Sequence, residues 1–93
     1  TNNVLVSGGT LRGCAYGSGH PSILFYNSNF SVDNCRAENL HIYDQAGSGG
    51  AYIAAYFAPM IGNSVSSILV HDTGRTLVYD PDNVLTVTGV AFA

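Results

Sequence analysis

The chain has 93 residues and a formal net charge of −3 at pH 7, and 46% of its residues are hydrophobic and 10% charged. This length allows one domain at most, and so apolar a composition excludes a disordered chain. The chain has three arginines and no lysine, a balance that argues against a nucleic-acid partner and favours neutral ligands such as sugars.

The longest apolar stretch, residues 51–61, contains Pro59 and is shorter than the ~18 residues that a membrane-spanning helix needs. We therefore expect no membrane insertion. The chain begins at Thr1 and carries no recognisable signal peptide, so we expect residues 1–93 to be one module cut from a longer chain.

Four short segments repeat one pattern along the chain. Each opens with Val, continues through a small or polar pair and ends on a mostly apolar side chain, and each has an Asn upstream. The segments begin at Val6, Val32, Val65 and Val87, and the upstream residues are Asn3, Asn29, Asn63 and Asn83.

A second segment ending in Tyr recurs between the Val segments, and every copy follows a loop that contains Gly. Its copies are residues 23–26, 53–56 and 76–79. This order holds three times before the chain ends within a fourth repeat, at variable spacing. A fixed order with variable length is typical of a solenoid, and the absence of a helical apolar period argues against helical repeats. The sequence therefore predicts an all-β solenoid of about three coils.

The segment Asn29-Phe-Ser-Val-Asp-Asn-Cys-Arg-Ala-Glu-Asn39 resembles a coil of the right-handed parallel β-helix of pectin-lyase-like proteins. Residues 3–11 and 83–90 look like weaker copies. The abundance of Gly, Ser, Asn and Tyr is similar to that of bacteriophage tailspikes and tail fibres. This resemblance implies a homotrimeric β-helix of the virion tail, assembled in the bacterial cytoplasm, that binds and often cleaves bacterial surface polysaccharide. A β-sandwich or jelly-roll fibre-tip domain is the alternative fold.

The composition also bears on assembly. Both ends of a short solenoid expose unpaired backbone groups, and this chain has no lysine to discourage edge pairing. We therefore expect a homo-oligomer, with a trimer preferred.

Stacked coils would align equivalent positions in columns. Counted from each Val, the third and fifth positions are suited to an interior; they are Gly9, Cys35, Ile68 and Val90, then Leu11, Ala37, Val70 and Phe92. The sixth position gives a polar column of Arg12, Glu38 and His71, with Asp72 beside it. Glu38 and Asp72 could act as the acid pair of a glycoside hydrolase or polysaccharide lyase, with His71 or Arg12 tuning their pKa values. The alternative is a set of charges paired on a solvated face.

Tyr26, Tyr56 and Tyr79 form a second predicted column. Aromatic rings side by side can stack against the apolar faces of sugars, which makes these residues candidates for glycan binding. Packing against a neighbouring subunit or a corner of the coil is the competing interpretation.

No metal site and no cofactor are expected, because three scattered His and two Cys show no ligand spacing. Cys14 and Cys35 fall in different columns, so we expect no disulfide between them. Two functions remain open: a structural and receptor-binding tail module, for which this segment is non-catalytic, or part of a polysaccharide depolymerase.

Overall fold

The computed structural model describes residues 2–14, 20–29, 31–44 and 50–93, and across these ranges every regular element is a β-strand. The strands are β1 (Leu5–Arg12), β2 (Ile23–Tyr26), β3 (Arg36–Tyr43), β4 (Ala51–Tyr56), β5 (Asn63–Val70), β6 (Thr76–Tyr79) and β7 (Leu85–Phe92). The all-β prediction is confirmed. Within the same ranges, no helix is long and apolar enough to cross a membrane.

The strands form two sheets in which every pairing is parallel. The four-stranded sheet has the order β1-β3-β5-β7, and the three-stranded sheet has the order β2-β4-β6. Successive strands belong to alternate sheets, so each strand pairs with the strand two places along the chain. This arrangement brings residues 22 to 31 positions apart in the sequence into neighbouring positions across the sheets.

The core lies between the inward faces of the two sheets. The four-stranded sheet contributes Leu40, Ile42 and Ile68, each at most 2% exposed, and the three-stranded sheet contributes Phe25 and Ile53. The apolar residues of β5 and β7 recur at the interval that the sequence predicted, because Val65, Ile68 and Val70 lie in register with Val87, Val90 and Phe92. Burial of these side chains is the main favourable contribution to folding.

The predicted register of the second coil is wrong. Ala37, not Val32, lies between Val6 and Val65, and Leu40 occupies the interior position predicted for Cys35. In the observed register the large side chains of Leu40 and Ile42 are buried, whereas the predicted register would place Asp33 and Asn34 within the strand. The larger apolar burial decides between the two registers.

The four strands of the four-stranded sheet share a residue of positive φ at the same register position, and in β1 the next residue, Gly9, also has positive φ (133°). The residues at the shared position are Gly8 (76°), Asn39 (56°), Ser67 (52°) and Gly89 (63°). Such a residue interrupts the in-and-out alternation, which explains why inward residues are spaced three and then two positions apart. The four strands therefore share one bend.

A polar contact fixes the start of β3 and β5. The Asn63 side chain is 1% exposed; its Oδ1 accepts a hydrogen bond from the Cys35 amide (2.9 Å), and its Nδ2 donates to the Val32 carbonyl (2.7 Å). The recurrent Asn of the sequence is thus partly explained by a buried side chain that satisfies backbone groups of the segment before β3. Cys35 is buried, Cys14 is exposed, and no disulfide joins them.

Candidate functional site

The strongest candidate site is an exposed group of aromatic rings on the three-stranded sheet. We call it the aromatic row; it consists of Tyr26 at the end of β2, Tyr56 at the end of β4 with Phe57 directly after it, and Tyr79 at the end of β6. In β2 and β4 the residue before the last faces inward and the last residue faces outward. Phe25 and Ala55 are therefore buried, whereas Tyr26 is exposed and Tyr56 is half-buried.

The rings of the aromatic row contact one another across three strands. The centroid of Tyr56 lies 6.4 Å from that of Tyr26 and 5.7 Å from that of Tyr79. Phe57 fills the space beside Tyr26, at 5.4 Å. Tyr26, Tyr79 and Phe57 are 48%, 46% and 59% exposed, so the row presents large apolar area to solvent.

The predicted Tyr column is correct for two of its three members. Tyr26 pairs with Tyr56 in the register of β2 and β4, but Tyr79 pairs with Ala54, two residues before Tyr56. The connection between β5 and β6 sets this offset, because Thr76 begins its strand opposite Ala51. The Tyr79 ring nonetheless reaches the Tyr56 ring, so the three tyrosines form one cluster.

The ring orientations determine what the row can bind. Tyr26 and Tyr56 are nearly perpendicular (81°), and Tyr56 and Tyr79 are inclined at 55°. The row is therefore a series of ring faces at angles to one another, about 10 Å across three strands. Exposed Tyr rings combine an apolar face with a hydroxyl that can donate and accept hydrogen bonds, a pairing suited to sugar rings. A shallow depression lined by Gly50, Thr76 and Tyr79 adjoins the row.

The outer face of the four-stranded sheet carries a second cluster, which replaces the predicted polar column. Tyr43, not Glu38, lies beside Arg12, whose guanidinium carbon is 4.3 Å from the Tyr43 ring centre. The opposite face of Tyr43 stacks on His71 at 4.2 Å and 4°. His41 stacks on His71 in turn, at 5.1 Å and 28°. We call these four residues the histidine stack.

The register separates the two carboxylates proposed as an acid pair. Glu38 pairs with Ser7 and Ser66, and the Ser7 hydroxyl lies 3.5 Å from it. Asp72 follows the end of β5, six residues beyond Ser66, which is about 20 Å along a strand. This exceeds the ~5–9.5 Å between the carboxyl groups of glycosidases. The expected proximity of Glu38 to Arg12, His71 and Asp72 is therefore wrong, and a catalytic role for these residues stays a prediction without that geometric support.

A group of mostly buried polar side chains lies where the chain enters the strands of the three-stranded sheet. The Ser22 hydroxyl donates to the Asp44 carboxylate at 2.8 Å, and the Arg75 guanidinium donates to the His20 carbonyl. The Arg75 guanidinium carbon also lies 5.8 Å from the Tyr52 ring centre. Burial, and then the negative charge of Asp72, raises the pKa of Tyr52 above its ordinary value of 10.0. These groups tie together the connections that lead into β2, β4 and β6.

The sequence reasoning missed three residues of the two clusters: His41, Tyr43 and Phe57. His41 and Tyr43 would have been found by aligning the alternation of Ala37, Leu40 and Ile42 with that of β5, instead of aligning Val with Val. Phe57 directly follows Tyr56, but in the sequence it reads as part of a long apolar stretch. Comparisons of the chain with protein-family models, with curated proteins and with solved structures find no match.

Proposed function

We propose that the chain is part of a right-handed parallel β-helix of a bacteriophage tailspike or tail fibre, and that its aromatic row binds bacterial surface polysaccharide. The single observation that carries the binding proposal is the continuous contact of Tyr26, Tyr56 and Tyr79 on an exposed face. A monomer rarely exposes such a group of aromatic rings without a ligand or partner for it.

The winding of the chain supports the β-helix. Successive strands alternate between two parallel sheets and stack on the strand two places earlier, which is what repeated coils require. The tail context rests on the resemblance of residues 29–39 and on the Gly-, Ser-, Asn- and Tyr-rich composition. Assembly as a homotrimer in the virion tail belongs to the same proposal.

Charge agrees with a neutral or weakly charged glycan as ligand. The aromatic row contains no ionised side chain, and the chain as a whole has a net charge of −3. Binding would therefore depend on apolar contact and on hydrogen bonds from the Tyr hydroxyls, and little on salt concentration.

The test is binding to a panel of bacterial O-antigen and capsular oligosaccharides, measured by saturation-transfer NMR and calorimetry. We expect Tyr26→Ala and Tyr79→Ala each to weaken binding about fivefold, because one aromatic contact contributes about 1 kcal/mol. Leu69→Ala, which removes an exposed apolar side chain from the other sheet, is the matched control and should leave affinity unchanged. An oligosaccharide affinity that is unchanged by both Tyr substitutions would contradict the proposal.

A further inference from the structure

His41 and His71, 30 residues apart in the sequence, meet on the outer face of the four-stranded sheet. His41 belongs to β3, and His71 directly follows β5. The Nδ1 of His41 lies 2.9 Å from the Nε2 of His71, and both residues are exposed. Two imidazole nitrogens thus converge at a place that an ion from solvent can reach.

Their separation matches that of two ligands of one metal ion. Bonds from imidazole nitrogen to a transition metal are about 2.0–2.1 Å long, so two such ligands at a right angle lie about 2.9 Å apart. Right angles between neighbouring ligands occur in square-planar and octahedral coordination, the geometries typical of Cu²⁺ and Ni²⁺. A tetrahedral ion would require a wider separation, about 3.3 Å.

The backbone that carries the two imidazoles is held in place before any ion binds, and the rings turn from their shared hydrogen bond to face the ion. β3 and β5 are the inner strands of the sheet, and the His71 amide donates to the Ile42 carbonyl at 2.8 Å. The parallel ring of Tyr43 supports His71 at 4.2 Å. A chelate built on rigid strands loses little conformational entropy on binding. The Tyr43 ring lies between His71 and the positive charge of Arg12, which keeps that charge away from the ion.

We propose that His41 and His71 form a two-histidine chelate site for a transition-metal ion such as Ni²⁺ or Cu²⁺. Across the described part of the chain, no group of three or more His, Cys, Asp or Glu side chains is placed to hold a metal. Water therefore completes the coordination, and the site exchanges its ion readily. Binding requires both imidazoles to be neutral and replaces the hydrogen that they share in the metal-free protein. This inference does not depend on carbohydrate binding.

Calorimetric titration with NiCl₂ tests the site. The exposed thiol of Cys14 also binds soft metals, so all variants carry Cys14→Ser. We expect one Ni²⁺ per chain, bound at least tenfold more tightly than by His41→Ala or His71→Ala, because each substitution leaves a single ligand. His20→Ala removes an imidazole outside the histidine stack and is the matched control; its affinity should equal that of the parent.

A second measurement uses folding instead of direct binding. An ion that binds only the folded chain raises the melting temperature. Ni²⁺ should therefore raise the melting temperature of the parent and of His20→Ala, but not that of His41→Ala or His71→Ala. Circular dichroism confirms that the variants fold, which is expected because both side chains are exposed. The proposal would be overturned if His41→Ala bound Ni²⁺ as tightly as the parent does. It would also be overturned if His20→Ala lost as much Ni²⁺ affinity as His41→Ala.

Discussion

Tyr52 combines full burial with an unsatisfied hydroxyl. Its side chain is 0% exposed, and among the residues that the structure describes the hydroxyl has no hydrogen-bond partner. Burial raises the pKa of Tyr52 above 10.0, the charge of Asp72 adds to this effect, and Arg75 opposes it. The fold therefore favours the neutral phenol, since an ionised phenolate would lose its hydration.

This shift predicts a loss of stability in alkali. Between pH 10 and the higher pKa of the folded state, the unfolded chain has released the Tyr52 proton and the folded chain retains it, so the free energy of unfolding falls as pH rises. Below pH 10 both the folded and the unfolded chain hold the Tyr52 proton, so Tyr52 does not reduce the free energy of unfolding there. We expect Tyr52→Phe to show a smaller decrease between pH 9 and pH 11 in urea denaturation.

Tyr79→Phe serves as the control for that experiment, because Tyr79 is exposed and its substitution removes a phenol hydroxyl without changing the core. Its stability should follow the parent profile across the same pH range. Parallel profiles for Tyr52→Phe and the parent would show that Tyr52 does not cause the alkaline loss.

At the scale of the strand, the shared bend of the four-stranded sheet explains several small residues. Gly8 and Gly89 adopt positive φ without steric cost, and Asn39 tolerates it. Ser67, with φ of 52°, is the least suited member of this column because its Cβ approaches the carbonyl oxygen.

We therefore expect Ser67→Gly to stabilise the protein by about 1 kcal/mol, since relief of this strain exceeds the added entropy of the unfolded chain. Ser66→Gly, one residue earlier in the same strand and outside the positive-φ column, should instead destabilise by about 0.5–1 kcal/mol. Urea denaturation of both variants measures the two effects. Destabilisation by Ser67→Gly would contradict the strain argument.

The elements themselves were largely predictable. Alternation and turn residues located the strands of the Val and Tyr segments, and the apolar interval of β5 and β7 was predicted correctly. The position of β3 was not predicted correctly, because a strand that begins at Val32 is also consistent with the local pattern. Only the burial of Leu40 shows that the strand lies further along the chain. Local pattern leaves such a choice of register open.

For the whole molecule, the most consequential feature is the pair of open ends. β1 and β7 are edge strands, and exposed apolar residues gather there: Val4, Leu5 and Val6 at one end and Val87 and Phe92 at the other. Edge strands with apolar side chains and no lysine favour association with another chain. These edges favour association of copies, and the resemblance to trimeric tail proteins makes a homotrimer the assembly that we propose.

We expect light scattering to give about three times the 9.7 kDa mass of one chain. Val6→Lys places a charge at the open end and should lower that mass, because pairing would bury an unpartnered ammonium group. Leu69→Lys introduces the same charge on the inner strand β5 and should leave the mass unchanged. A parent of monomeric mass would contradict the homotrimer.

The sequence by itself determined an all-β chain of repeated short strands, with Tyr at the ends of alternate strands and few charges. These properties follow from composition and from alternation along the chain, which are local. The tertiary structure alone decided which residues meet, bringing His41 to His71 and Tyr43 to Arg12 while separating Glu38 from Asp72. Register is the physical reason, since a shift of five residues in one strand changes every neighbour across the sheet, and only burial of the whole core selects among the alternatives.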